Sequence, residues 1–228
     1  MVNLAGRVAA VTQEHAFLRE RAVEKTAAVV VTSDRGLCGG YNANAIRKAV
    51  SLGNPDTLSV VAVGRRAQVQ LRHRGYGVFD RVVPLGGEPQ AAIIWALADR
   101  VGRRFEAGEF DRLVLVHARF LGGIRSEVMA EQALPVMRRD STLEDAIFEP
   151  GRQEMLPELM KRYLRTQVLG AVLEASASEH AARVAAMTAA TDNAEDMIRQ
   201  LVLDYNKARQ ATITKELSEI VAAAEAAG

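Results

Sequence analysis

The residues best placed for chemistry lie at two points of the chain. The first is Gly36-Leu37-Cys38-Gly39-Gly40, which follows an apolar β-branched run and precedes a helical pattern. A glycine-rich loop at that junction is where α/β folds cradle phosphate. The match is incomplete: there is no G-x-G-x-x-G and no lysine after the glycines, and Arg35 precedes them instead. The loop therefore reads either as a structural turn held by Asp34, Arg35, Gly36, Gly39 and Gly40 or as a ligand loop. Cys38 stands near a helix N-terminus, where a thiol is acidified, but a structural or incidental cysteine is the favoured reading over a nucleophile. The four histidines, His15, His73, His117 and His180, are scattered without a base or metal spacing. No metal and no cofactor is expected.

The second point is Asp204-Tyr205-Asn206-Lys207-Ala208-Arg209-Gln210. These polar groups sit on a helical pattern that also carries apolar positions. They read equally as a solvated face or as a partner contact in which Arg209 and Gln210 hydrogen-bond to loops beside the helix.

The elements around these points follow from periodicity. Residues 3–18 have Leu4, Val8, Val11 and Leu18 at helical spacing. Ala27–Thr32, Leu58–Val63, Gly77–Val83 and Leu113–Val116 are short runs of the kind that form buried parallel strands. Arg125–Leu134 alternates weakly as a fifth, and helical stretches at Tyr41–Ser51, Arg65–Arg74 and Pro89–Phe105 lie between them. The expected fold is α/β: a Rossmann-like open, mostly parallel sheet covered on both faces, with a long C-terminal coiled-coil helix. The expected divisions are 1–26, the remnant of an N-terminal helix; 27–137, the Rossmann-like domain; 138–156, a polar linker; and 157–228, the long helix.

That helix is the most informative feature. From Pro157 to Ala227 there is no further proline and one glycine, and nine of the twenty residues 171–190 are alanine. At 1.5 Å per residue, about 70 residues reach on the order of 100 Å, too long to bury against a domain of this size. Met187, Thr191, Ala194, Ile198, Leu201, Tyr205, Ala208 and Thr212 are spaced 4-3-4-3-4-3-4. Ile213, Leu217, Ile220 and Ala224 start a second register. Left in water, the larger seam residues and Val221 forgo on the order of 10–20 kcal/mol of burial. A partner surface is expected to cover them; the competing reading folds the helix back as a hairpin near Gly170 or Asp192-Asn193.

Composition bounds the rest. In 228 residues, Lys+Arg 29 against Asp+Glu 28 leaves a net charge of +1, no bulk case for nucleic acid. A single cysteine excludes an internal disulfide. No run of 18 apolar residues is present, and the first residues lack a secretory core.

Thr32-Ser33-Asp34-Arg35-Gly36-Leu37-Cys38-Gly39-Gly40-Tyr41-Asn42 closely resembles the loop motif of the gamma subunits of F-type ATP synthases. Ala189–Ala194 and Tyr205–Leu217 resemble that family's C-terminal signature. The resemblance spans residues 27–226 and is weakest between 84 and 156. It implies a Rossmann-like domain between two terminal helices that form an antiparallel coiled coil. That coiled coil is a rotor shaft inside a hexamer of alpha and beta subunits, with the globular part on the c-ring beside epsilon. It implies no catalytic residue in this chain, and coupling of proton translocation to ATP synthesis or hydrolysis.

Arg209, Gln210 and Thr214 match family positions that bond to hexamer loops, with Glu216 beside them. Met187, Ile198, Leu201, Tyr205, Ile213, Leu217 and Ile220 form the coiled-coil seam, Met187 in the lower part where packing carries torque. The glycines of the loop become turn residues. The implied location is peripheral, on the cytoplasmic face of a bacterial plasma membrane. Most of the family's N-terminal helix is missing before Ala27, so in-frame coding sequence rich in Lys, Arg and Met is expected upstream. The alternative function is a nucleotide- or phosphate-binding α/β enzyme with a coiled-coil oligomerisation tail.

Overall fold

A computed structural model describes residues 15–85, 88–137 and 152–226. Five strands form one sheet: β1 (Thr26–Val31), β2 (Leu58–Val63), β3 (Gly77–Val82), β4 (Arg112–Gly122) and β5 (Arg125–Leu134), in the order β3-β2-β1-β4-β5. The first four run parallel, and β5 returns antiparallel on β4. The helices are α1 (Tyr41–Val50), α2 (Arg65–His73), α3 (Ala91–Glu106) and α4 (Arg152–Ala226). The fold is α/β with a mostly parallel sheet and a long C-terminal helix, as the strand–helix alternation predicts.

The sheet is apolar on both faces because both are covered. On one face, Ala28, Val30, Val60 and Ala62 pack under Ile46 and Ala49 of α1 and Ala67 and Leu71 of α2. On the other, Ala27, Val29, Val31, Val61 and Val63 meet Ile94, Leu97, Val101 and Phe105 of α3 and Met160, Leu164, Val168 and Val172 of α4. Alternation along β1 divides its side chains between the two cores.

The chain divides into two units, residues 1–185 and 186–228. In the first unit, α4 is a core element. Tyr163 donates to the Ala133 carbonyl (3.2 Å), Ser178 to the Ala118 carbonyl (3.0 Å), and the Tyr41 hydroxyl to the Ala175 carbonyl (3.0 Å). The Arg165 guanidinium grips Asp99 of α3 with two bonds, of 2.8 and 2.6 Å. In the second unit the helix continues to Ala226, and every side chain from Ala189 to Ala224 is exposed.

Three readings shift. The long helix begins at Arg152, so Pro157 lies inside it and residues 152–156 of the expected linker are helical. Leu156 is buried in the core, and that contact rewards another turn of helix. β4 runs six residues past Val116, because His117–Gly122 pair with Arg125–Met129 of β5 beyond the point where β1 stops. His117 and Arg119 interrupt the apolar run there and hide the strand. Within the helix expected at 3–18, Ala16–Leu18 form a single 3₁₀ turn; its residues 3–14 lie outside the described residues, as do 138–151 of the linker. No helix turns back at Gly170 or Asp192-Asn193, since α4 runs through both.

Candidate functional site

The loop after β1 is built from its own hydrogen bonds. Asn42, buried in the first turn of α1, accepts from the Ser33 N–H (3.0 Å) and donates to Ser33 Oγ (2.8 Å) and Cys38 Sγ (3.2 Å). Ser33 Oγ in turn donates to the Arg35 carbonyl. Leu37 and Gly39 take left-handed backbone conformations, φ 61° and 55°. Leu37 accepts that cost with its side chain out in water. Cys38 is buried.

The next junction is equally filled. The free N–H groups at the start of α2 are where an anion would bind. Arg65 N–H donates to Asp34 Oδ1 (2.9 Å), Arg66 N–H to the Ser33 carbonyl (3.1 Å) and Ala67 N–H to Thr32 Oγ1 (2.8 Å). Asp34 Oδ2 also accepts from Leu85 N–H (2.7 Å). A carboxylate of the chain itself thus occupies the place of a phosphate. Gly64 permits this approach: at φ 91°, a Cβ there would stand 2.1 Å from the Thr32 carbonyl oxygen. Asp34, Arg35, Gly36, Gly39 and Gly40 therefore converge on a turn that ties β1 to α1 and α2. The hub residues Thr32, Ser33 and Asn42 are what the glycine spacing alone did not single out; their signal was the polar run directly after a buried strand.

The second group of residues lies in the second unit. Met187, Ile198, Leu201, Tyr205, Ile213, Leu217 and Ile220 are 45–66% exposed, so no described residue covers the seam. Arg209, Gln210, Thr214 and Glu216 are exposed on the same stretch. Among the described residues, Arg209, Gln210 and Glu216 make no side-chain hydrogen bond or ion pair. The Thr214 carbonyl accepts from Ser218 Oγ (2.8 Å), and Thr212 Oγ1 donates to the Ala208 carbonyl (3.1 Å). The helix is held locally by such bonds and by the Lys215–Glu219 pair (3.7 Å). Nothing here brings an acid, a base and a nucleophile together. What the stretch offers is a regular array of uncovered apolar and hydrogen-bonding groups.

A family model described as ATP synthase matches residues 1–227. The ATP synthase gamma chain of Brevibacillus brevis is 42% identical over 221 residues, covering 93% of this chain and 77% of that protein. This chain belongs to the ATP synthase gamma family. Solved structures share the fold. A chain of the Euglena gracilis mitochondrial ATP synthase OSCP/F1/c-ring assembly aligns with a TM-score of 0.69 at 22% identity, over 90% of this chain and 73% of its own. A chain of the rotor of the same enzyme gives 0.65 at 19% identity, over 93% and 88%. One from the central stalk and c-ring of the Tetrahymena thermophila enzyme gives 0.62 at 21%, over 81% and 85%. No described helix is long and apolar enough to cross a membrane.

Proposed function

We propose that this chain is the central-stalk rotor subunit of a proton-translocating ATP synthase, turning inside a hexamer of alpha and beta subunits to couple proton flow to ATP synthesis or hydrolysis. It carries no catalytic group of its own in this reading; the chemistry belongs to the complex. The observation that carries the proposal is the exposed seam on an unbroken helix, in a chain of the gamma family. A monomer rarely leaves such a stripe in water. A partner helix packed on the seam would cover it, and a surrounding collar of subunits would meet the remaining faces of the helix.

In this reading Arg209, Gln210, Thr214 and Glu216 contact loops of the hexamer, and Met187 to Ile220 form the coiled-coil seam. The globular unit meets epsilon and the c-ring at the cytoplasmic face of the membrane. The segments fall as a remnant of the N-terminal helix, a Rossmann-like domain, a linker and the shaft. Occupation of the N-terminus of α2 by Asp34 weighs against the nucleotide-binding enzyme.

The test is made in the assembled complex. Replacing Arg209 and Gln210 together by alanine is expected to lower ATP-driven proton pumping at least several-fold, each lost charge-assisted bond being worth about 1.5–3 kcal/mol. The melting of the globular unit is expected not to change. Full pumping by the double variant, with the subunit present in the complex, would remove these residues from the coupling surface.

A further inference from the structure

The face of the globular unit formed by α1 and α2 is charged in one sign only. Arg47 and Lys48 of α1, Arg65, Arg66 and Arg72 of α2, and Arg74 just after it are all exposed. Neither helix contains an Asp or Glu. The two helices share one core over β1 and β2, so their outer surfaces form one continuous face.

None of the six cations takes part in an ion pair with a described residue. Several arginines elsewhere are paired, among them Arg100 with Asp80 (2.8 Å), Arg104 with Glu109 (3.2 Å), Arg165 with Asp99 (2.6 Å) and Arg183 with Glu179 (2.6 Å). Two carboxylates lie near these cations, fewer than the six positive charges: Asp34 at the start of α2, where it accepts two backbone N–H groups, and Asp56 in the loop before β2. Glu127 and Glu131 of β5 alternate with Val128 and Ala130, which pack beneath this face, and so stand on the opposite side of the sheet. In a chain of net charge +1, six cations on one face with no ion-pair partner among the described residues are a concentrated departure from the average.

From this we infer an interaction surface: the α1–α2 face binds a carboxylate-rich segment of a partner polypeptide. Five of the six cations are arginine, whose planar fork takes a carboxylate through two bonds. Asn44, Gln68 and Gln70 lie between them and can bond to a peptide backbone. A lipid surface fits less well. Val69 is the one large exposed apolar side chain on the two helices, whereas interfacial helices insert a row of them. A nucleic acid fits less well too, because Tyr41 and Tyr76 are buried and His73 is the one exposed ring on the two helices, too little for a row of stacked bases.

The experiment uses the full chain and fluorescein-labelled poly-L-glutamate, read by anisotropy at roughly 0.1 M salt, where screening beyond about 10 Å removes diffuse attraction. Binding by the native chain is expected, with R66Q/R72Q weakening it at least tenfold. R125Q/R162Q, which removes the same charge from exposed positions elsewhere, is expected to stay within twofold. K48Q/R74Q is a second pair on the same face and is expected to weaken binding likewise. Far-ultraviolet melts establish that each variant is folded. Equal losses in face and control pairs would overturn the proposal, as would no binding by the native chain. Tighter capture of phosphatidylglycerol vesicles than of poly-L-glutamate, lost in R66Q/R72Q, would overturn it in favour of a lipid surface.

Discussion

His15 shows how one residue links the chain's beginning to its core. Its Nδ1 accepts the Phe17 N–H (3.2 Å), which caps the 3₁₀ turn and seats Phe17 and Leu18 in the core. Burial lowers the imidazole pKa below 6.5; Glu106, at 3.6 Å from Nε2, opposes that and Arg19 adds to it. The unfolded chain therefore binds this proton more readily than the folded one. Stability from His15 is complete above pH 6.5 and is lost as pH falls through the lowered folded value. Thermal melts between pH 8 and pH 5 are expected to show a loss in the native chain that His15→Asn lacks, since asparagine caps without titrating in this range. Parallel pH profiles for the two proteins would show that another group is responsible. The hub of Ser33, Cys38 and Asn42 is the other lesson at this scale. Cys38 is buried there and takes an N–H from an asparagine side chain, in keeping with the structural cysteine that the sequence favoured.

At the scale of elements, α4 is two surfaces on one backbone. Its first part supplies Met160, Leu164, Val168 and Val172 to the core; its last part supplies Ile213, Leu217 and Ile220 to solvent. Truncating Met160 to alanine removes packed atoms and leaves a cavity, an expected loss of about 2–5 kcal/mol in denaturant melts of the isolated chain. Leu217→Ala removes a side chain that is 57% exposed, and its expected effect in the same melts is within about 0.5 kcal/mol. In the assembled complex the order changes, because Leu217 then has a cover to lose. A large destabilisation by Leu217→Ala in the isolated chain would show that the seam is already covered there. The β4–β5 hairpin belongs to this scale as well. Its extension carries Ala118, whose carbonyl receives Ser178 of α4 (3.0 Å), so the strand that the polar residues concealed is one that seats the helix.

For the whole molecule, the two units differ in what holds them. Among the described residues, those up to 185 have a core on both sides of a sheet, and 186–226 have helix bonds and exposed local pairs. Amide exchange is expected to be slow in β1, β2 and β4 and fast in 187–226 of the isolated chain, becoming slow in 187–226 within an assembled synthase. Protection of 187–226 in the isolated chain at low concentration would contradict the exposed helix. Much of this was readable beforehand. A parallel strand covered on both faces must be a continuous apolar run, and an alanine-rich stretch with no proline after Pro157 favours one long helix, so β1, β2 and most of α4 are written locally in the chain. The motifs around Gly36 and Arg209 were legible for the same reason, each being a contiguous string. What the fold alone decided are the contacts between distant residues: Tyr41 with Ala175, Thr32 with the start of α2, Leu156 in the core, β5 antiparallel on β4. Such pairings depend on which surfaces meet once the sheet is closed over, and no local period or propensity carries that information.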